Sequence, residues 1–416
     1  MRENRDKLTR RDFIGTTALG VAGMMAEAST RIAHGSVLGA NDRINLGVIG
    51  PGGQGQSLIR TFARQSNTTV VAVCDIFEPN LNKGLTLAGG DPKPSNDYRK
   101  LIELKEVDAV VIATPLHHHL ETALAALSAG KHVYLEKTMA YSVEQCDQIV
   151  KAAKARPSQV LQIGFQRHYN PVVRKVVDLC RSGGLGTITH IHCTWHRNAN
   201  WRRPVPKVDF DPRPWGYPSL EHLVNWRMYK KYSGGLMAEL GSHMMEVVSL
   251  IYGVMPTAVT GFGGIDYWKD GRETYDNVSV IYTFPGGQKA TFSSITTNAH
   301  HGEHISIMGT EATIEMGWNE ASYYREKEGA EAVKLEGPAV ITSTGETMPA
   351  TKSGAGTQLQ GPQPERVDSL ALAVQSFLTC VREGKKPEAD ALVGRNAAMC
   401  IHLANQAMEQ GRVIKF

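Results

Sequence analysis

Between residues 44 and 135 the apolar positions fall in short unbroken runs separated by stretches with helical spacing. Ile44-Asn45-Leu46-Gly47-Val48-Ile49 is β-rich, a helix-like segment runs from Gln56 to Gln65, and Val70-Val71-Ala72-Val73-Cys74 is a second apolar run. Val107 to Thr114 predicts a third strand, Leu120 to Ser128 a helix closed by Gly130, and Lys131 to Leu135 a further strand. Unbroken apolar strands alternating with helices imply a parallel sheet covered on both faces.

From about Leu161 the pattern changes. Thr187 to Trp195, Ala258 to Gly264, Val278 to Phe284, Gln288 to Thr296 and His304 to Met308 follow one another with few regular helices between them. Successive strands without crossover helices predict a mainly antiparallel, open-faced sheet in an α+β unit. Between the first two lies an aromatic and proline-rich excursion, 200–232, with Trp201, Trp215, Tyr217, Trp226 and Tyr229, and an apolar helix is predicted from Met244 to Ile251. Aromatic faces suit a sugar ring and equally suit loop packing. Residues 329–364, rich in Gly, Ala, Thr and Pro, read as a loop or insertion, and two amphipathic helices, 366–383 and 392–410, close the chain. The expected organisation is a lead-in at 1–40, a nucleotide domain at 41–160, an α+β substrate and oligomerisation domain at 161–365, and C-terminal helices at 366–416 packing back on the core.

Composition narrows the field. The 416 residues carry 45 basic and 41 acidic side chains, a formal charge of +4 that leaves no surplus for wrapping nucleic acid. The six cysteines are scattered without C-x-x-C spacing and read as isolated buried thiols. No apolar stretch is long enough to span a bilayer. The N-terminus reads as an address: Arg10 and Arg11 followed by Phe13 and Ile14, a mild apolar run, then Ala26-Glu27-Ala28, the pattern of a twin-arginine export signal. A periplasmic or otherwise exported protein, handed to the twin-arginine machinery already folded, is the expectation.

The first apolar run ends in Gly50-Pro51-Gly52-Gly53-Gln54-Gly55, which fits G-x-G-x-x-G. Gly50 permits the tight turn, Gly52 lets backbone approach a pyrophosphate, and Gly55 lets helix and strand pack closely, with the helix N-terminus facing the anion. Asp75 ends the second run twenty residues beyond Gly55, where a carboxylate hydrogen-bonds ribose hydroxyls, favouring NAD over NADP. Arg99 and Lys83 keep NADP open. Lys137 is delivered at the carboxyl end of a strand, where open α/β sheets bind ligands. Glu239 and His243 are four residues apart; on a helix they share a face, and a carboxylate beside an imidazole orients it for proton transfer. His190, His192 and His196 alternate along one strand, His117 to His119 cluster, and His300 and His304 have helical spacing, but no acid completes a metal pattern, so no metal site is expected.

Taken together, the glycine turn, Ala113-Thr114-Pro115, Ala129-Gly130-Lys131-His132-Val133 leading to Glu136-Lys137, Gln162-Ile163-Gly164-Phe165-Gln166-Arg167, and Gly234-Gly235 with Glu239 and His243 resemble the glucose–fructose oxidoreductase, inositol dehydrogenase and MocA family, from about Asn41 to the last residue. The resemblance implies a Rossmann domain joined to an open-faced antiparallel sheet, NAD or NADP between them, and a sugar or cyclitol over the nicotinamide. It places Gly50, Gly52, Gly53, Gln54, Gly55, Asp75, Thr114, Pro115, His119, Glu136, Lys137 and Gln166 at the cofactor. It places Arg167, Tyr169, Trp226, Arg227, Glu239 and His243 at the substrate, with Lys137, His243 and Glu239 catalytic. Thr138 stands where the family's Glu-Lys-Pro motif has proline, which is expected to loosen the turn, and Glu239 stands where the family usually has aspartate. Homo-oligomers are common in the family. Three functions follow: hydride transfer from a sugar hydroxyl with a tightly held cofactor, a redox-neutral glycosidase or lyase passing through a keto sugar, and a nucleotide-bound sensor that has lost catalysis.

Overall fold

The computed structural model describes residues 43–326, 357–358 and 368–416. The export-signal pattern and nearly all of the 329–364 segment lie outside these residues. The description that follows concerns the unit Ile44–Phe416.

A six-stranded parallel sheet is built from β1 (Ile44–Ile49), β2 (Thr68–Cys74), β3 (Lys93–Ser95), β4 (Ala109–Ile112), β5 (His132–Leu135) and β6 (Leu161–Ile163), in the order β3-β2-β1-β4-β5-β6. Every residue of β4 and β6 is buried, as unbroken apolar strands sandwiched between helices require. The strand order reverses between β1 and β4, and this opens a crevice at their carboxyl ends. Local chemistry fixes where helices start. Ser142 caps Val143–Lys154 by accepting from the Gln145 amide, and Asn170 caps Pro171–Arg181 by accepting from the Val172 amide at 2.8 Å, ahead of a proline that suits the first helical position.

The second sheet has nine strands: β7 (Ile188–Asn198), β8 (Ala258–Gly264), β9 (Asn277–Thr283), β10 (Lys289–Ile295), β11 (Thr297–Gly309), β12 (Ala312–Met316), β13 (Ala321–Arg325), β14 (Thr357–Gln358) and β15 (Ile414–Lys415). Their order is β14-β13-β12-β11-β7-β10-β9-β8-β15. It is antiparallel except where β10 runs parallel to β7, because the long excursion after β7 returns the chain to the same end. One face, including Cys193, Val280, Phe292, Ile305 and Ile314, packs on the helices Pro171–Arg181 and Ser242–Tyr252. Along β9 the alternation is strict: Val278, Val280 and Tyr282 point inward, while Ser279 and Ile281 face outward.

The closing helices, Ser369–Glu383 and Ala391–Gln410, serve both sheets. Phe377 makes edge contacts with Phe62 and Tyr134 beneath the parallel sheet, at centroid distances of 6.1 and 5.6 Å. The last helix sends Ala397 and Ala398 into the core on the opposite face of the parallel sheet and Cys400, Ile401 and Ala404 into the core of the second sheet. Gly394 is needed there, since a Cβ would come within 2.6 Å of Ile163 and 2.7 Å of Met139. All six cysteines are buried and free.

Candidate functional site

A cavity of about 1090 Å³ opens at the carboxyl ends of β1, β2, β4 and β5 and is roofed by the second sheet and the 200–232 excursion. Its floor is the glycine turn. Gly50 has φ +84°, and a Cβ there would lie 2.8 Å from the backbone of Ala113 and Thr114; a Cβ on Gly55 would meet the Gly50 carbonyl oxygen at 2.2 Å. Gly55 thus packs under the turn, outside the cavity lining. A Cβ on Gly52 would meet nothing within 4 Å, and Gly52 precedes the first turn of helix Gly53–Ala63, whose amides face the cavity end. The open space sits where a pyrophosphate would need it. The hydroxyl oxygen of Thr114, on the cavity wall, is buried without a hydrogen-bond partner. Asp75 accepts from the Phe77 amide at 2.8 Å, and burial pushes its carboxyl up to about 7 against the pull of that amide and of Asn80. Lys83 and Arg99 line the same end, Arg99 beside Asp97. These features fit a dinucleotide.

At the other end the lining residues come from distant parts of the chain. Glu136 is buried; its Oε1 accepts from Gln54 Nε2 at 2.9 Å, and desolvation raises its pKa although Lys137 opposes this. Gly164 leaves room for that carboxylate, since a Cβ would lie 2.8 Å from it. Lys137 reaches across to donate to the Glu239 carbonyl at 3.1 Å. The Lys137–Thr138 peptide bond is cis. Thr138 does not loosen this turn. Its hydroxyl donates to the Ala238 carbonyl at 2.9 Å, and its own carbonyl faces His119 Nδ1 at 2.9 Å, bonds that tie the strand end to both halves of the molecule. His119 also faces the Thr114 carbonyl through Nε2 at 3.1 Å, and burial lowers its pKa to about 4.

Glu239 and His243 both line the cavity, but they do not form the carboxylate–imidazole pair expected from their spacing. Residues Met237–Gly241 wind as a π-helix before the α-helix Ser242–Tyr252, which changes the rotation between the two side chains. Glu239 Oε2 instead accepts from Arg227 Nε at 2.9 Å. Burial alone would raise the Glu239 carboxyl, yet Arg227 and Lys137 hold it below the usual carboxylate range. His243 Nδ1 is buried without a partner, its ring is flanked by Trp195 and Trp318 at 5.5 and 6.3 Å, and burial with the charges of Lys137, Arg167 and Arg197 keeps its pKa well below that of a free imidazole.

Gly50, Gly52, Gly53, Gln54, Asp75, Thr114, Pro115, His119, Glu136, Lys137, Gln166, Trp226, Arg227, Glu239 and His243 all line this one cavity. Arg167 and Tyr169, expected at the substrate, do not. Arg167 is only 1% exposed, ion-paired with Glu303 and packed over Trp318 at 5.1 Å, so its side chain stays behind the cavity wall although its charge still acts on His243. The Tyr169 hydroxyl accepts from the Ala389 amide at 3.3 Å, toward the C-terminal helices. The aromatic excursion does both things open to it: Trp201, Trp215, Tyr217 and Trp226 line the cavity, while Tyr229 stacks on His222 at 4.0 Å. The structure adds Trp195, Arg197, Arg203 and Trp318, none of which stood out in the sequence. Arg203 is fixed through its backbone, donating to Asn225 Oδ1 at 2.7 Å and accepting from Asn225 Nδ2 at 3.0 Å, and its guanidinium lies 3.6 Å from where a Cβ on Gly53 would stand. Among the described residues no cluster of three or more His, Cys, Asp or Glu could hold a metal ion. His190 and His192 stack on each other, whereas His196 bonds to Ser293 and the His300 carbonyl.

A strand-order reversal over a glycine turn, roofed by an open sheet, with a lysine from the end of a parallel strand and a glutamate and histidine from a helix packed between the sheets, defines a two-domain Rossmann-type oxidoreductase architecture. Residues 44–165 match the family described as an oxidoreductase family with an NAD-binding Rossmann fold, and 173–315 match the GFO/IDH/MocA C-terminal domain. The two matches together cover more than half of the chain, which belongs to the GFO/IDH/MocA family. Among curated relatives it is 38% identical over 157 residues to inositol 2-dehydrogenase 3 of Saccharopolyspora erythraea, covering 37% of this chain and 45% of that one. It is 31% identical over 199 residues to a glycosyl hydrolase family 109 protein of Solibacter usitatus, covering 44% and 45%. The chain thus spans about half the length of the curated relatives it matches. In fold it is similar to a levoglucosan dehydrogenase in complex with NADH, with a TM-score of 0.71 and 18% identity over 90% of this chain and 99% of that one. An aldose–aldose oxidoreductase from Caulobacter crescentus gives 0.68, at 19% identity over 90% and 100%.

Proposed function

We propose that the protein is an NAD-dependent oxidoreductase acting on a secondary hydroxyl of a sugar, glycoside or cyclitol. The observation that carries this reading is the placement of Lys137, Glu239 and His243 at one end of a cavity whose other end is the glycine turn and Asp75. When bound, NAD supplies the hydride acceptor. Gly50, Gly52, Gly53 and the helix amides would take its pyrophosphate, with Arg203 above, and Asp75 its adenosine ribose. His243, unprotonated near neutral pH, would take the proton of the reacting hydroxyl. The Lys137 ammonium, fixed by the Glu239 carbonyl, would stabilise the developing alkoxide, and Glu239 holds Arg227 toward the same space. Trp195, Trp201, Trp226 and Trp318 offer apolar faces to a sugar ring while limiting water.

A redox-neutral glycosidase or lyase is the second reading. The glycosyl hydrolase family 109 relative, whose match is longer than that of the inositol dehydrogenase, supports it. Both versions need the same hydride transfer. One experiment separates them: protein purified without added nucleotide is incubated with free sugars and with nitrophenyl glycosides. Dehydrogenation changes the nicotinamide absorbance and releases no nitrophenol; the glycosidase releases nitrophenol with no net change in nicotinamide. A protein that binds nucleotide and does neither with any sugar is the lapsed sensor.

We further propose that the mature protein is exported by the twin-arginine route with its cofactor loaded, since free nucleotide is scarce outside the cytoplasm; mass spectrometry of nucleotide released from exported protein tests this. The open sheet face, where Phe262 is 83% and Ile281 50% exposed, supports pairing with a second copy of the chain, which light scattering on purified protein would measure.

A further inference from the structure

Charge at the sugar end of the cavity is out of balance. Three cations, Lys137, Arg197 and Arg227, face two carboxylates, Glu136 and Glu239. Each carboxylate is already engaged: Glu136 with Gln54 and the Lys137 amide, Glu239 with Arg227. Arg202, adjacent in sequence to Arg203, shows how this chain settles an arginine meant only for structure, with Glu221 on one side and Asp270 on the other. Arg203 stands over the glycine turn, where a dinucleotide would bring its own negative charge. Arg197 has no such answer.

Arg197 projects from the end of β7 between two indoles, its guanidinium carbon 5.6 Å from the Trp195 ring centre and 5.3 Å from that of Trp201. Its Nε is buried and makes no hydrogen bond, and it forms no ion pair among the described residues. It lies near enough to His243 and Glu239 for its charge to act on both. A buried, unspent donor on a cation beside the reacting centre is costly unless something completes it. The aromatic faces hold the guanidinium in place, and its planar fork matches an oxyanion.

We infer that Arg197 is the recognition site for an anionic substituent on the substrate, so that the preferred substrate is a sugar bearing a carboxylate in place of the neutral hydroxymethyl or a phosphate on it. This rests on the oxidoreductase reading and specifies its substrate class. Arg197 is a binding residue here; Lys137 and His243 keep their roles.

The test uses full-length protein with its bound nucleotide and ligands that share a ring and differ in the substituent at C6: glucose, glucuronate and glucose 6-phosphate, with the galactose and mannose series alongside. Binding is read by tryptophan fluorescence, turnover by nicotinamide absorbance. In at least one series an anionic sugar is expected to bind at least about tenfold tighter than its neutral partner, with the preference shrinking as salt rises. R197Q should lose roughly 10- to 100-fold for the anion and less than threefold for the neutral sugar, and R197K should recover part of the loss. Whether uronate or phosphate wins tells which anion is read. The inference is overturned if neutral sugars bind as well as anionic ones in every series, or if R197Q weakens both alike, which would make Arg197 a prop for Trp195 and Trp201. If neutral sugars change the nicotinamide absorbance and anionic ones do not, the oxidoreductase reading stands and this inference fails; if no sugar binds or reacts, both fail.

Discussion

The two ends of the cavity are built on opposite plans. The frame of the nucleotide end comes from one continuous stretch, Gly50 to Asp75, in which turn, helix and strand are neighbours in sequence and in space, and Lys83, Arg99, Thr114 and Arg203 are added around it. The opposite end gathers Lys137 from the end of β5, Trp195 and Arg197 from β7, Arg227 from the excursion, Glu239 and His243 from a π-to-α helix, and Trp318 from a turn between β12 and β13. One end is set by backbone shape, the other by side-chain charge held in place by tertiary packing. A change at the first should therefore act through fit, and at the second through chemistry.

The largest contrast is expected at the reacting groups. Lys137→Met and His243→Ala should each lower kcat by about 10²- to 10⁴-fold while nucleotide affinity, measured by fluorescence titration, stays within a few fold. Because the His243 pKa lies well below 6.5, the base remains unprotonated on the acid side of that value. The acid limb of kcat/KM should accordingly lie well to the acid side of 6.5; a limb centred near 6.5 would mean another base.

Two glycines then divide fit from folding. Gly55→Ala drives a methyl into the Gly50 carbonyl and should lower Tm by several degrees. Gly52→Ala meets no protein atom, so Tm should hold while NADH affinity drops about tenfold or more as the methyl takes the pyrophosphate's space. If Gly52→Ala binds NADH normally, the turn does not hold the pyrophosphate.

A smaller effect is expected at Asp75. With a folded pKa raised to about 7 from 3.8, the native state holds its proton more tightly than the unfolded chain. Its contribution to stability is present at low pH and is lost as pH rises through 7. Asp75→Asn in nucleotide-free protein should therefore gain Tm relative to the parent at pH 8 and not at pH 4, a difference thermal melts would show. The least effect belongs to Thr138→Val, which removes the hydroxyl bond to Ala238 and should cost about 1 kcal/mol by denaturant unfolding.

The contrast also explains what was legible. The glycine turn, Asp75 and the parallel strands were readable because each is dictated by local periodicity or by a backbone conformation that needs glycine. Lys137 was readable from its place at a strand end. Arg167 misled because its buried partner, Glu303, lies 136 positions away, and Glu239 misled because five residues of π-helix break the i, i+4 rule. Trp318 and Arg197 carried no local signal at all; only the packing of β7 against β11 and the turn after β12 brings them to the cavity. Thr138 was expected to weaken its turn, yet its side chain supplies a bond that the family's proline lacks.

The last two helices bear on how the chain comes off the ribosome. The parallel sheet is complete in sequence at Ile163, but the Ile163 amide donates to the Ala389 carbonyl at 2.8 Å, Gln162 donates to the Ala373 carbonyl, and Phe377 packs against both Phe62 and Tyr134. At about 5–20 residues per second, the nucleotide-binding half waits on the order of ten seconds or more after its final strand is made before those groups arrive. Until then its edge is bare and its core unfilled, so a nascent chain stalled in that interval should be the species that chaperones and proteases meet.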